Sequence, residues 1–586
     1  MKQNFRQRLQ GLERCRYLYG KGFAAEVEKL LRTFRNVNFP DAESLVRFHD
    51  LLLFLRAFPQ SANVVKMTES LLAGIGRQVA ELRKRGTGLE LFDDEQFSGV
   101  ANTVIRDSFT YEVALWLAKQ HPEQISVAWD LDEQGRQMSV SLPWLVPLLG
   151  DDCLVEADTP YLDWLAAAAG GADRILFWLL ERIEHLPLSA LQKTAWYDAL
   201  RIEVQWELGE SAASRTHARR NPPAMYYHRQ PLIRRNQVSL AEELSSAALP
   251  VHKLSRKNGE DALDMVRDAI TVRYRELWGT TRGDPENVVA ADAGRGVQIL
   301  LWGLPPERRL PLRAYHAGMT WKNGVPINYI EGISLFEWME VGFNTFYTYR
   351  EGETAWIYSK VLHLLHQVAG VTCFSVYPYQ LGHENEEAIK SGAFWFYRKL
   401  GFRPGRPELL ALTEREEAKM ARDPAHRTSA ATLRKLAAGH VFYEFGEGAR
   451  GQWDRFSTRN IGFAVERWMA SRFQGDPKKM YAAAIAAVSQ ALDVDSEALN
   501  PLERSAFKDF APVLSLVPDL ERWSAAEKAA VIEIIRAKVA PDEADYRRCL
   551  QGHAALRNAF LRLGSARDAA NPQTIPPAAS FSRLPS

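Results

Sequence analysis

The sequence is poor in cysteine, has almost no net charge and contains no long apolar run. Its four cysteines, Cys15, Cys153, Cys373 and Cys549, lie far apart, form no CxxC pair and have no histidine at ligand spacing. This argues against a zinc site and against a disulfide framework, and a reduced compartment fits best. Lysine and arginine total 73 and the acidic residues 72, leaving a formal net charge of +1. No global field therefore steers the chain to nucleic acid or to an anionic membrane, and any basic site has to be local. The most apolar stretches, LLLFLRAF from Leu51 and ILFWLLERI from Ile175, are about half the ~20 residues that a membrane span needs. The basic N-terminus has no apolar core of signal-peptide length, and no repeat of fixed period is visible. The expectation is a soluble cytoplasmic protein with no membrane association.

What is present points to a multidomain α+β protein. At 586 residues the chain is too long for one core, and length alone suggests roughly three to four domains. Residues 1–210 are mainly helical: FAAEVEKLLRTF and AESLVRFHDLLLFLRAF space their apolar residues by three and four. One exception, residues 125–142 (ISVAWDLDEQGRQMSVSL), alternates on both sides of a glycine-containing turn and predicts a hairpin. Residues 211–247 form a basic linker or arm with Arg215, Arg219, Arg220, Arg229, Arg234 and Arg235 and no acid before Glu242. Its Pro222-Pro223 step prevents a continuous helix. Interleaved with Tyr226, Tyr227 and His228, these arginines could grip phosphates and stack on bases. A charge run is more often a solvated face or a dock for acidic helices of the same chain, so nucleic acid is not the expected partner.

Residues 248–408 change character. VQILLWGL, LPLRAYHAGMTW, VPINYIEGISLF and EWMEVGFNTFYTY are rich in β-branched and aromatic residues, and KNG at 322–324 marks a hairpin turn. The order is strand, helix, several antiparallel strands, helix, strand, helix, strand, which predicts a mixed sheet with flanking helices. Residues 409–567 return to helical periodicity, and residues 568–586 are rich in proline, serine and alanine, with little to bury.

Two stretches carry the functional reading. Residues 348–362 (TYREGETAWIYSKVL) read as a strand end, a short loop and a helix start, and residues 391–402 (SGAFWFYRKLGF) as an amphipathic helix breaking at Gly401 into a strand. With the order of elements, they resemble the GNAT superfamily of acyl-CoA-dependent N-acyltransferases over about residues 249–406. Ala393, Tyr397, Lys399, Leu400, Gly401 and Phe402 match its helix-and-strand motif, while Lys390 replaces the asparagine usual three residues earlier. The resemblance implies that Tyr397 protonates a departing thiolate and that the cofactor is acetyl-CoA or another acyl-CoA. It also implies that Arg350, Gly352, Thr354 and Ala355 hold the phosphates, and that an amine is the second substrate. Gly352 stands one position early in that loop, with Glu353 in the glycine's usual place.

Such a phosphate site needs free backbone N–H groups at a helix N-terminus, where the dipole also favours an anion. Glu351 and Glu353 flank the spot, and a like charge at that range costs on the order of 1 kcal/mol even when solvated; both are expected to turn outward. Read as a frame without ligand, REGET is an ordinary helix start with acidic first-turn residues. Glu331, Glu337, Glu340 and His316 are the candidate acid–base groups on the strands, with Glu331 or Glu340 assisting deprotonation of the amine. His363 and His366 share a helix face without a third ligand, so no metal is expected. The alternatives are a non-catalytic GNAT-like scaffold whose helical flanks bind a protein partner, and nucleic-acid binding through the arm. The enzyme reading further expects an opening between the strand ending near Tyr349 and the strand at residues 373–377, with the Tyr397 hydroxyl facing it.

Overall fold

The computed structural model describes residues 2–20, 22–35, 37–128, 161–446 and 450–565, with a few single positions between 129 and 160. Much of the hairpin expected at 125–142, Cys153 and the tail at 568–586 lie outside the described residues. The protein is α+β, with a large mixed sheet flanked by helices. No helix among the described residues is long and apolar enough to cross a membrane.

Strands β1 (Val104–Asp107), β2 (Ile125–Val127) and β3 (Val204–Glu207) make a small sheet of order β1-β3-β2. The run beginning at Ile125 is thus a strand, but its partner here is β3, joined antiparallel through Ile125↔Trp206 and Val127↔Val204.

The main sheet comprises β4 (Val251–Lys253), β5 (Val288–Gly294), β6 (Val297–Trp302), β7 (Ala314–Lys322), β8 (Val325–Leu335), β9 (Trp338–Thr345), β10 (Cys373–Val376), β11 (Arg403–Pro404) and β12 (Val441–Glu444). Their order is β11-β12-β10-β9-β8-β7-β6-β5-β4. All pairs are antiparallel except β9 with β10. The KNG turn between β7 and β8 places Asn323 at φ 50° and Gly324 at φ 81°, the doubly positive arrangement that matches the twist of a two-residue hairpin. Every residue of β7 and β8 is buried, so the centre of the sheet is covered on both faces and reads as continuous rather than alternating apolar sequence.

On one face Phe343 of β9 packs against Tyr358 of the Thr354–Ala369 helix, ring centroids 4.8 Å apart. On the other face Trp338 stacks on Trp453 at 5.2 Å, within a core that joins C-terminal helices to Leu335, Phe336 and Cys373. A second core runs without a break from Leu9 and Leu31 of the N-terminal helices through the sheet to Val441. The sheet also extends beyond the sequence boundary at 408: β12, from the region read as helical, lies between β10 and β11. Four residues, VFYE, carry too little periodicity to announce a strand, and pairing on both sides makes them one.

Candidate active site

The parallel neighbours β9 and β10 pair through Cys373↔Trp338, Phe374↔Met339 and Ser375↔Glu340. β9 then runs on from Val341 to Thr345 paired with β8 alone. β10 ends at Val376 and the chain turns into the short helix Pro378–Leu381, so β10 stays paired with β9 to within one residue of its end rather than splaying from it as the enzyme reading expects. Gln380 of that helix reaches over Gly342 of β9: a Cβ on Gly342 would stand 2.8 Å from its Nε2. A side chain at this position would have to displace the flexible end of Gln380, its backbone neighbours lying at ordinary contact distance. The Tyr397 hydroxyl donates to Gln380 Oε1 at 3.2 Å, and Glu331, paired with Gly342 across β8 and β9, brings its Cβ within 3.8 Å of the same virtual atom. Glu331, Gly342, Gln380 and Tyr397 therefore form a file just beyond the last β9–β10 pair.

Tyr397 departs from the expectation of an open hydroxyl. It is 5% exposed, with Tyr358 and Phe402 each 5.7 Å from its ring, and burial raises its phenol well above the ordinary value. Phe402 of the motif itself and Tyr358 of the Thr354–Ala369 helix close over the ring. Glu331 is likewise buried, accepts a hydrogen bond from the Tyr315 hydroxyl, and burial pushes its carboxyl up to about 7.

Glu340 lies on the same face as Glu331, at the last position where β9 meets β10, and accepts from His440 Nε2 at 3.0 Å. Glu337 is held by Arg557 and the Trp453 indole. His316 is buried against Ser334; burial holds its imidazole well below the ordinary value. Neither Glu337 nor His316 joins the file. His363 pairs with Glu243 and His366 with the Val371 carbonyl, and no group of three His, Cys, Asp or Glu able to hold a metal occurs among the described residues.

The four expected phosphate residues come together. Arg350, Gly352, Thr354 and Ala355 line one pocket of about 490 Å³, walled by Tyr17, Glu351, Phe396 and the arm from Pro231 to Arg235. The Thr354–Ala369 helix begins there with no side-chain cap, which leaves its first-turn N–H groups without that partner. Glu351 turns outward, its side chain 69% exposed, and accepts from Tyr17 and Arg16 at the rim.

Glu353 does the opposite of what its sequence position suggests. It is fully buried, pairing with Arg295 and with Lys322 Nζ at 3.3 Å and accepting from Ile233 N at 3.1 Å. Two cations from the β5–β6 and β7–β8 turns offset its charge, and the same carboxylate ties the arm down over the helix start. Arg350 is committed too, to Glu387 and to the Thr345 carbonyl. Elsewhere the arm docks on its own chain, through Arg215 to Asp50 at 3.1 Å and Arg219 to Glu69 at 2.7 Å.

No family model, curated protein or solved structure matches the chain.

Gln380, Lys322 and Arg295 were beyond sequence reasoning, because each acts through a partner distant in the chain. Gly342, a glycine inside a strand pattern, is the one local signal that was available.

The Glu331 environment gives a stability prediction. Its folded carboxyl titrates near 7 against ~4.5 unfolded, so its contribution is complete below ~4.5 and is lost as the pH rises through 7. Glu331→Gln keeps an acceptor for Tyr315 and cannot charge. The variant should therefore gain stability on wild type between pH 4.5 and 7, by an amount on the order of 3 kcal/mol. Thermal melts across that range check it; parallel curves for the two proteins would show that Glu331 is not desolvated.

Proposed function

We propose that the protein transfers an acyl group from a coenzyme A thioester to an amine, residues 249–406 acting as a GNAT-type N-acyltransferase. The observation that carries this reading is the pocket that gathers Arg350, Gly352, Thr354 and Ala355 at an uncapped helix start, next to the parallel pair β9 and β10. The residues present fit a diphosphate. Arg234 and Arg350 line the pocket, Glu353 is offset by Lys322 and Arg295, and Glu351 sits at the rim against Arg16.

The thioester supplies an acyl carbon already activated toward attack. Glu331, with a carboxyl near 7, takes the proton that the amine loses as the C–N bond forms. Tyr397 carries the proton for the sulfur as the C–S bond breaks, and burial keeps that proton on the phenol until then. At rest its hydroxyl is engaged by Gln380, which has to release it.

Two observations favour the second reading, a GNAT-like scaffold whose helical flanks bind a protein partner: Tyr397 is covered and Arg350 is tied to Glu387. Thermal stabilisation separates the two. CoA at 100 times its dissociation constant should add about 2.7 kcal/mol, seen as a raised melting temperature. An unchanged melt at millimolar CoA would leave the scaffold.

A further inference from the structure

The basic edge of the pocket holds more cations than a diphosphate requires. Arg234 is exposed and Arg235 half-buried, and both line the pocket with Phe396. Lys399 caps the end of the Ala393–Arg398 helix, three residues after Phe396 and so on the same face. No carboxylate forms an ion pair with Arg234, Arg235 or Lys399 among the described residues. Glu351, the acid of the pocket wall, is occupied by Arg16 and Tyr17. Arg427 nearby donates to the carbonyls of Pro424 and His426. Partial burial and the positive charges of Arg235 and Arg427 lower the Lys399 ammonium below its ordinary value. Like charges kept together without a counter-ion stand ready for an anion carrying more than one charge.

We infer that the nucleotide end of the donor lies along this edge, with Arg235 and Lys399 reading the 3′-phosphate of coenzyme A. The donor is then a free coenzyme A thioester rather than a thioester on a protein-borne phosphopantetheine, which brings a single phosphodiester. This rests on the acyltransferase reading and adds to it a specificity supplied by the arm, outside the region of resemblance. A phosphate monoester carries a charge of about −1.5 to −2 at pH 7 and three strong acceptor oxygens, which suits two neighbouring cations.

Isothermal titration with CoA and with dephospho-CoA, which lacks only the 3′-phosphate, tests it. Wild type should bind CoA at least about tenfold more tightly, the effect of one good charge-assisted contact. Arg235→Gln/Lys399→Gln should bind both compounds as wild type binds dephospho-CoA. Equal affinity of wild type for the two compounds, or an equal loss for both in the variant, overturns the inference and leaves the acyltransferase reading standing. If wild type binds neither compound, that reading falls and the inference falls with it.

Discussion

Lys322→Met should unfold at a clearly lower temperature than wild type, with a loss of about 3 kcal/mol. Lys322 and Glu353 are both fully buried and 3.3 Å apart, and removing one partner of such a pair leaves a charge in low dielectric, at a cost of roughly 3–5 kcal/mol. The low end applies because Arg295 and the Ile233 N–H still face Glu353. Burial lowers the Lys322 ammonium to about 8 against the pull of Glu353, so desolvation already weighs heavily at this site. The double variant Lys322→Met/Glu353→Gln removes both charges and should recover most of the loss. Equal melting of Lys322→Met and wild type would mean that the pair is not buried. The same turn also holds the arm, since Asn323 donates to the Ala57 and Tyr226 carbonyls. Loosening it should loosen the arm and the pocket wall together.

Tyr397→Phe and Glu331→Gln should each lower turnover of an acylated amine by about 10²- to 10⁴-fold, the usual contribution of a positioned acid or base. Neither residue lines the pocket at the start of the Thr354–Ala369 helix, so CoA affinity should be unchanged. In wild type kcat should rise with pH through about 7 as Glu331 loses its proton, and Glu331→Gln should lack that limb. If Tyr397→Phe turns over at the wild-type rate, the tyrosine is a packing residue, as its aromatic neighbours Tyr358 and Phe402 would allow.

Local sequence was enough for the elements whose chemistry is local. The aromatic and β-branched runs of β6 to β9, the KNG turn and the helix starting at Thr354 were legible because propensity, period and turn residues agree there. β5 was hidden in VVAADAG, where alanine and aspartate favour no strand, and it exists because β4 and β6 pair with it. The clustering of Arg350, Gly352, Thr354 and Ala355 was legible as a run, since a helix start is a local event. The direction of Glu353 was not, because it depends on Lys322 and Arg295 arriving from two distant turns. Nor was the cover on Tyr397, since Gln380 announces itself by no pattern.

The central claim is that the N–H groups at the start of the Thr354–Ala369 helix receive the cofactor's phosphates. Amide hydrogen exchange of residues 349–362, with and without saturating CoA, reads those groups directly. The account predicts that CoA slows exchange at Thr354, Ala355 and Trp356 while the helix interior is unchanged. Exchange at these three amides that stays the same in saturating CoA would contradict it.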